Sequence, residues 1–107
     1  MLTAKEAKTQ NVQRANNQKI IIDEIIKKQD GFLGYATQVA IEKGLTRAST
    51  NYQMGAGECK ELNENDMDAF CAALQEYLEG FGYKVEAWTQ PFFNQCNVSW
   101  DWADIKI

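Results

Sequence analysis

Hydrophobic and polar residues follow two different periods along this chain. Val12, Ala15, Ile22, Ile25 and Ile26 recur at helical spacing behind a capping candidate at Thr3, and Ile21 widens the stripe. Lys8, Arg14, Lys19, Asp23, Glu24, Lys27 and Lys28 fall between them and are expected to face water. Phe32, Leu33, Ala36, Val39 and Ala40 continue the same period to Gly44, which suits a C-cap glycine. Only Asp30-Gly31 and Gly34 interrupt the pattern. Each glycine costs a helix interior about 1 kcal/mol relative to alanine. Residues 4–43 are therefore either one long bent helix or two helices meeting at a sharp corner, and the first is favoured because Asp30-Gly31 leaves too few residues for a comfortable antiparallel turn.

After Gly44 the period changes to 2. Thr46, Ala48, Thr50, Tyr52 and Met54 alternate with Arg47, Ser49, Asn51 and Gln53, a strand with one covered and one wet face that ends at Gly55-Ala56-Gly57. Asn63 is expected to cap a second helix by accepting from the amide of Asp66, and Asp66 and Asp68 suit its first turn. Met67, Phe70, Cys71, Leu74, Tyr77, Leu78 and Phe81 form its apolar stripe, which stops across Gly80 and Gly82. A hairpin closes the pattern, with strands over residues 83–89 and 97–102 and a loop holding Pro91, Phe92 and Phe93. Val98, Trp100 and Trp102 share one of its faces, expected to be the core face. The expected fold is a single α+β domain over residues 1–107: long N-terminal helix, strand, helix, then C-terminal β-hairpin, forming a three-stranded antiparallel sheet with helices on one face.

Composition supports a real core and narrows the chemistry. Of 107 residues, 45% are apolar, with three Trp, four Tyr and five Phe, enough to fold without staples. Cys59, Cys71 and Cys96 are odd in number and irregularly spaced, with no secretory signal before them, so reduced thiols and a cytoplasmic location are expected. Cys71 falls in the helical stripe and reads as a core residue, while Cys59 and Cys96 read as candidates for exposure. No apolar run approaches the roughly 20 residues that cross a bilayer.

Charge is divided unevenly. Residues 1–47 carry +3 and residues 48–107 carry −7, for a net −4. The balance argues against general nucleic-acid binding, and the asymmetry suits a polar partner surface or self-association into a homo-oligomer.

Histidine is absent. That removes the commonest general base, every Ser-His or Cys-His nucleophile and most transition-metal sites. Glu58, Glu61, Glu64, Asp66 and Asp68 are the one acidic concentration, but Met67 and Asp68 break the calcium-loop pattern, and helix capping already explains acids there. Gly55-Ala56-Gly57 lacks the third glycine and the Lys-Ser/Thr ending of a phosphate loop and reads as a turn. No catalytic residue, metal ligand or cofactor is assigned.

The opening Met1-Leu2-Thr3-Ala4-Lys5-Glu6-Ala7, the lysine-rich helix after it, Leu78-x-x-Phe81-Gly82-Tyr83-Lys84-Val85 and then Val98-Ser99-Trp100 resemble small uncharacterised proteins of tailed bacteriophages. Such proteins have no common activity, so the resemblance implies a layout and a setting, and assigns no residue a role.

Two groups of residues are candidates for binding. Trp88, Phe92 and Phe93 flank Pro91 at the hairpin tip, where exposed aromatics anchor a protein partner or stack a base. Tyr35, with Arg14, Lys19 and Arg47, is a candidate site for a small anionic ligand at a subunit junction. The function expected is a non-enzymatic phage-type accessory binding protein acting by stoichiometric association. It either inhibits a host anti-phage defence protein or sequesters a small nucleotide messenger. A virion structural or assembly role is the alternative, and a metal-dependent hydrolase using the acidic cluster stands behind both.

Overall fold

A computed structural model describes residues 1–107. Its principal elements are α1 (Ala4–Glu42), β1 (Arg47–Gln53), α2 (Met67–Glu79), β2 (Lys84–Gln90) and β3 (Gln95–Asp101). The architecture is α+β, with one antiparallel sheet in the order β1-β3-β2, so the last strand is the central one.

α1 is one helix of 39 residues, and its ends explain its length. At the start, Thr3 Oγ1 accepts from the Glu6 amide at 3.1 Å while Glu6 Oε1 accepts from the Thr3 amide at 3.3 Å, a reciprocal capping box. At the finish, Gly44 turns left-handed (φ 76°), its amide donates to Ile41 and the Leu45 amide donates to Ala40, each at 2.9 Å. That is a Schellman ending, and it needs the positive φ that glycine adopts without strain. Gly31 and Gly34 do not break the helix, and a Cβ at either would meet nothing within 4 Å.

At about 1.5 Å per residue α1 is roughly 58 Å long, against a longest molecular dimension of 60 Å. The sheet is much shorter, because seven-residue strands reach only about 24 Å. The helix therefore outruns its support. Residues 4–17 are all exposed, so Val12 and Ala15, expected on the buried stripe, stand in water, and burial begins in earnest at Ile22 and Ile26. Phe32 is a second correction at 48% exposure, since its neighbour Leu33 takes the inward direction.

The core lies between the helices and one face of the sheet. Ala48 and Tyr52 of β1, Val85 of β2, and Cys96, Val98 and Trp100 of β3 are buried against Ile22, Ile26 and Leu33 of α1 and Phe70, Leu74 and Leu78 of α2. Trp102, on the same parity as Trp100, is half-buried and packs edge-on against Tyr83 at 5.8 Å. Cys59 and Cys96 are buried rather than exposed: Cys96 shares the inward face of β3, and Cys59 sits in a short helical turn under the core. Phe81 lies beyond the end of α2 and is exposed, because the helix stops at Glu79, before the stripe's last position.

Four side-chain hydrogen bonds pin α1 to four different places. Gln18 donates to Asp66 at 2.6 Å and Tyr52 donates to buried Gln29 at 3.2 Å. Tyr77 donates to Asp30, a bond that holds its phenol up at about 12. Trp100 Nε1 donates to Thr37 Oγ1 at 2.9 Å, and that hydroxyl in turn donates to the Leu33 carbonyl at 2.8 Å. No buried side-chain nitrogen or oxygen is left without a partner, as a well-specified core requires.

The second helix is entered through a capping box. Asn63 Oδ1 accepts from the Asn65 amide at 2.8 Å and also caps the Asp66 amide, as expected, while Asp66 Oδ2 accepts from the Asn63 amide at 2.9 Å. A single turn of 3₁₀ helix over Glu64–Asp66 precedes α2.

Two stability changes follow. Gly31→Ala and Gly34→Ala should each raise the unfolding free energy by roughly 0.5–1 kcal/mol, since both sites are helical with open space for a methyl group; urea midpoints at fixed protein concentration measure this. Trp100→Ala should lower it by about 3–5 kcal/mol, the range for aromatic truncation in a core, read in the same titration.

Candidate functional site

The groups with chemical potential are mostly spent on structure. Asp66, the most buried member of the acidic segment, accepts from the Asn63 amide in the capping box of the 3₁₀ turn before α2 and from Gln18. No three His, Cys, Asp or Glu side chains are grouped so as to hold a metal ion. All three thiols are free and buried, and burial pushes each one up: Cys59 to about 11, Cys71 and Cys96 also above the ordinary thiol value. A thiol held protonated is a poor nucleophile. Burial likewise pushes the Tyr52 phenol up, with Glu58 adding to it.

The four residues expected around an anionic ligand do not converge. Arg14 stands on the projecting part of α1 beside Asn11, Gln18 and Asn65. Lys19 borders an open groove of about 690 Å³ whose other charged members, Asp23, Lys27 and Glu76, are of both signs. Tyr35 and Arg47 do meet. They line an open groove of about 370 Å³ between the C-terminal part of α1 and β1, together with Phe32, Val39, Lys43 and Leu45. Arg47 is shared there: its Nη2 lies 3.0 Å from Ser99 Oγ on the central strand and 3.9 Å from Glu86 on the far strand. The register aligns Ser49, Ser99 and Glu86 in one row across the outer face, one step from Arg47. Ser99 is buried on an otherwise wet face as a result.

The helical period places Phe32 and Val39 on one stripe with Leu33 and Ala40 and gives Lys43 and Leu45 no role; in the structure Phe32 and Val39 border the groove instead, with Lys43 and Leu45.

The aromatic tip is better defined. Residues 91–93 form one turn of 3₁₀ helix between β2 and β3, closed by Asn94 in the left-handed conformation (φ 51°). Two bonds fasten it: the Met54 amide donates to the Asn94 carbonyl at 2.8 Å, and Asn97 Nδ2 donates to Gln90 Oε1 at 3.1 Å. On this turn Phe92 and Phe93 pack edge to face with centroids 5.0 Å apart, yet they are 91% and 56% exposed. Trp88 stands on the outer face of β2 opposite Asn97, also exposed. The loop does not fold back over the core.

No protein-family model, curated protein or solved structure matches this chain. No helix is long and apolar enough to cross a membrane.

Burial of the thiols has a direct readout. A disulfide reagent at pH 8 should leave Cys59, Cys71 and Cys96 unmodified for many minutes in the native protein and titrate all three within seconds in denaturant; a fast native phase would show that one of them is accessible.

Proposed function

We propose that this chain is a non-enzymatic accessory binding protein of bacteriophage type, acting in the host cytosol by stoichiometric association with a host anti-phage defence protein, which it inhibits. The observation that supports this reading is the fastened turn that holds Phe92 and Phe93 in water beside Trp88. Aromatics contribute most of the binding energy at many interfaces because they offer large apolar area with few rotatable bonds to freeze. A turn already tied at Met54 and Gln90 reduces the ordering cost further. Asn51, Gln53, Gln90 and Gln95 surround the tip with uncharged polar side chains, the composition of an interface rim.

Sequestering a nucleotide messenger is the weaker reading. Arg14 and Lys19 are remote from Tyr35, and Arg47 already serves Ser99 and Glu86. Nothing in the geometry favours particle assembly, and the engagement of both Asp66 carboxylate oxygens by Gln18 and the Asn63 amide weighs against metal-dependent hydrolysis.

The test compares the wild-type chain with Phe92→Ala/Phe93→Ala and with Trp88→Ala, each tagged and recovered from infected bacteria. A protein held at a fixed ratio by the wild type should be lost from the double variant, with affinity reduced about 10- to 100-fold for two anchors of hot-spot size, and the thermal midpoint should stay within about 3 °C of wild type because neither side chain belongs to the buried core. Retention of a nucleotide-sized mass in native mass spectrometry, with no protein lost from the double variant, would overturn the reading in favour of the messenger.

A further inference from the structure

The helical layer is wider than the sheet it covers. α2 packs on β2 and β3, while α1 packs on β1 and α2. Leu33 and Thr37 turn toward α2, where they border a second groove with Tyr77 and Leu78. The opposite flank of α1, with Phe32, Tyr35 and Val39, faces the groove beside Arg47, Ala48 and Ser49 of β1. Tyr35 is 68% exposed and Phe32 48%. Apolar helix surface therefore extends past the last strand, over the position a fourth strand would occupy.

The free edge of β1 is ready to receive one. The Trp102 amide donates to Thr46 at 3.0 Å and the Met54 amide donates to Asn94 at 2.8 Å. These bonds close the β1–β3 ladder at its two ends and set its phase: even-numbered residues of β1 bond to β3. The N–H and C=O groups of Arg47, Ser49, Asn51 and Gln53 consequently point away from the sheet, where the Gln53 carbonyl accepts from the Ala56 amide at 3.3 Å and keeps its second lone pair for a neighbouring strand. Edge strands are usually protected by charge, proline or a bulge. β1 has no proline, pairs without interruption over seven residues and carries one charge, Arg47. The other edge, β2, carries Lys84 and Glu86 and runs into Pro91.

We propose that β1 pairs antiparallel with β1 of a second copy about a two-fold axis through Thr50, joining two three-stranded sheets into one of six. In this register the outward-pointing residues are the hydrogen-bonded pairs, Arg47 with the partner's Gln53 and Ser49 with the partner's Asn51. Between them Ala48 lies opposite the partner's Tyr52, a small residue against a large one, and Thr50 lies opposite the partner's Thr50. The strand is complementary to itself. Its single charge sits at one end, so the two copies of Arg47 are about 20 Å apart along the strands, well beyond the roughly 8 Å over which salt leaves charges coupled. The same rotation brings the exposed flank of each α1 over the junction, where Phe32, Tyr35 and Val39 meet their counterparts. A foreign strand would find the same free edge, but only a second copy brings an apolar helix flank to cover the groove as well.

Sedimentation velocity of the purified full chain from 1 to 100 µM tests this. The expected result is a species of twice the 12.2 kDa chain mass. Ser49→Pro removes an outward amide that the β1–β3 ladder does not use, and Tyr35→Glu charges the groove; each should shift the sample to monomer with the far-ultraviolet spectrum unchanged. If Ser49→Pro fails to fold, Tyr35→Glu decides. Thr50→Cys should cross-link into a covalent dimer on mild oxidation, since only this register places that position opposite itself. A wild-type chain that stays monomeric at 100 µM, a dimer that survives Tyr35→Glu, or a dimer that fails to cross-link at Thr50→Cys would overturn the proposal.

Discussion

The indole of Trp100 governs how the two layers fit. It is fully buried near the C-terminal end of the central strand, where the register sets it between Ala48 and Val85. A buried indole needs a partner for its N–H. Thr37 supplies it, and in doing so sets the rotation of α1 about its own axis. With Thr37 turned down to the indole, Leu33 one turn earlier must face the core and Phe32 must face the flank. The wet positions of Tyr35 and Phe32, the groove beside β1 and the overhang of the helical layer all descend from that one bond and the space that Ala48 leaves for the ring.

The molecule separates its interior from its contact surfaces sharply. Inside, polar groups are either absent or paired, thiols are held protonated by burial, and Asp66 closes the capping box of the turn before α2. Outside, the open sheet face offers amides and hydroxyls, one fastened turn offers aromatics, and one strand edge offers unpaired backbone. The groups whose titration is shifted are phenols and thiols, each raised by burial or by a hydrogen bond.

Local order was readable from the residues and extent was not. The alternation from Thr46 to Met54 and the stripe from Met67 to Leu78 record which side of each element is covered, so β1 and α2 follow directly from them. Val12 and Ala15 repeat the same period with nothing beneath them, because periodicity reports a direction and cannot report where the supporting layer stops. Cys96 was misjudged although it shares parity with Val98 and Trp100, a local signal that was present and overlooked. The scatter of Arg14, Lys19 and Tyr35 also follows from one helix: 21 residues at about 1.5 Å each separate Arg14 from Tyr35 by roughly 32 Å. By contrast, the Arg47, Ser99 and Glu86 association depends on strand order and register, which link positions distant in the chain and leave no mark in any one of them.

The central place of the last strand also matters while the chain is being made. β1 and β2 touch only through β3, so neither outer strand can be zipped into a sheet until Gln95–Asp101 has emerged. From Gln53 to Asp101 is 48 residues, which at about 5–20 residues per second leaves β1 unpaired for roughly 2–10 s. During that interval the nascent chain displays both edges of a nearly uncharged strand to its ribosomal neighbours. The long helix ahead of it, synthesised by then, carries its charges over residues 5–28.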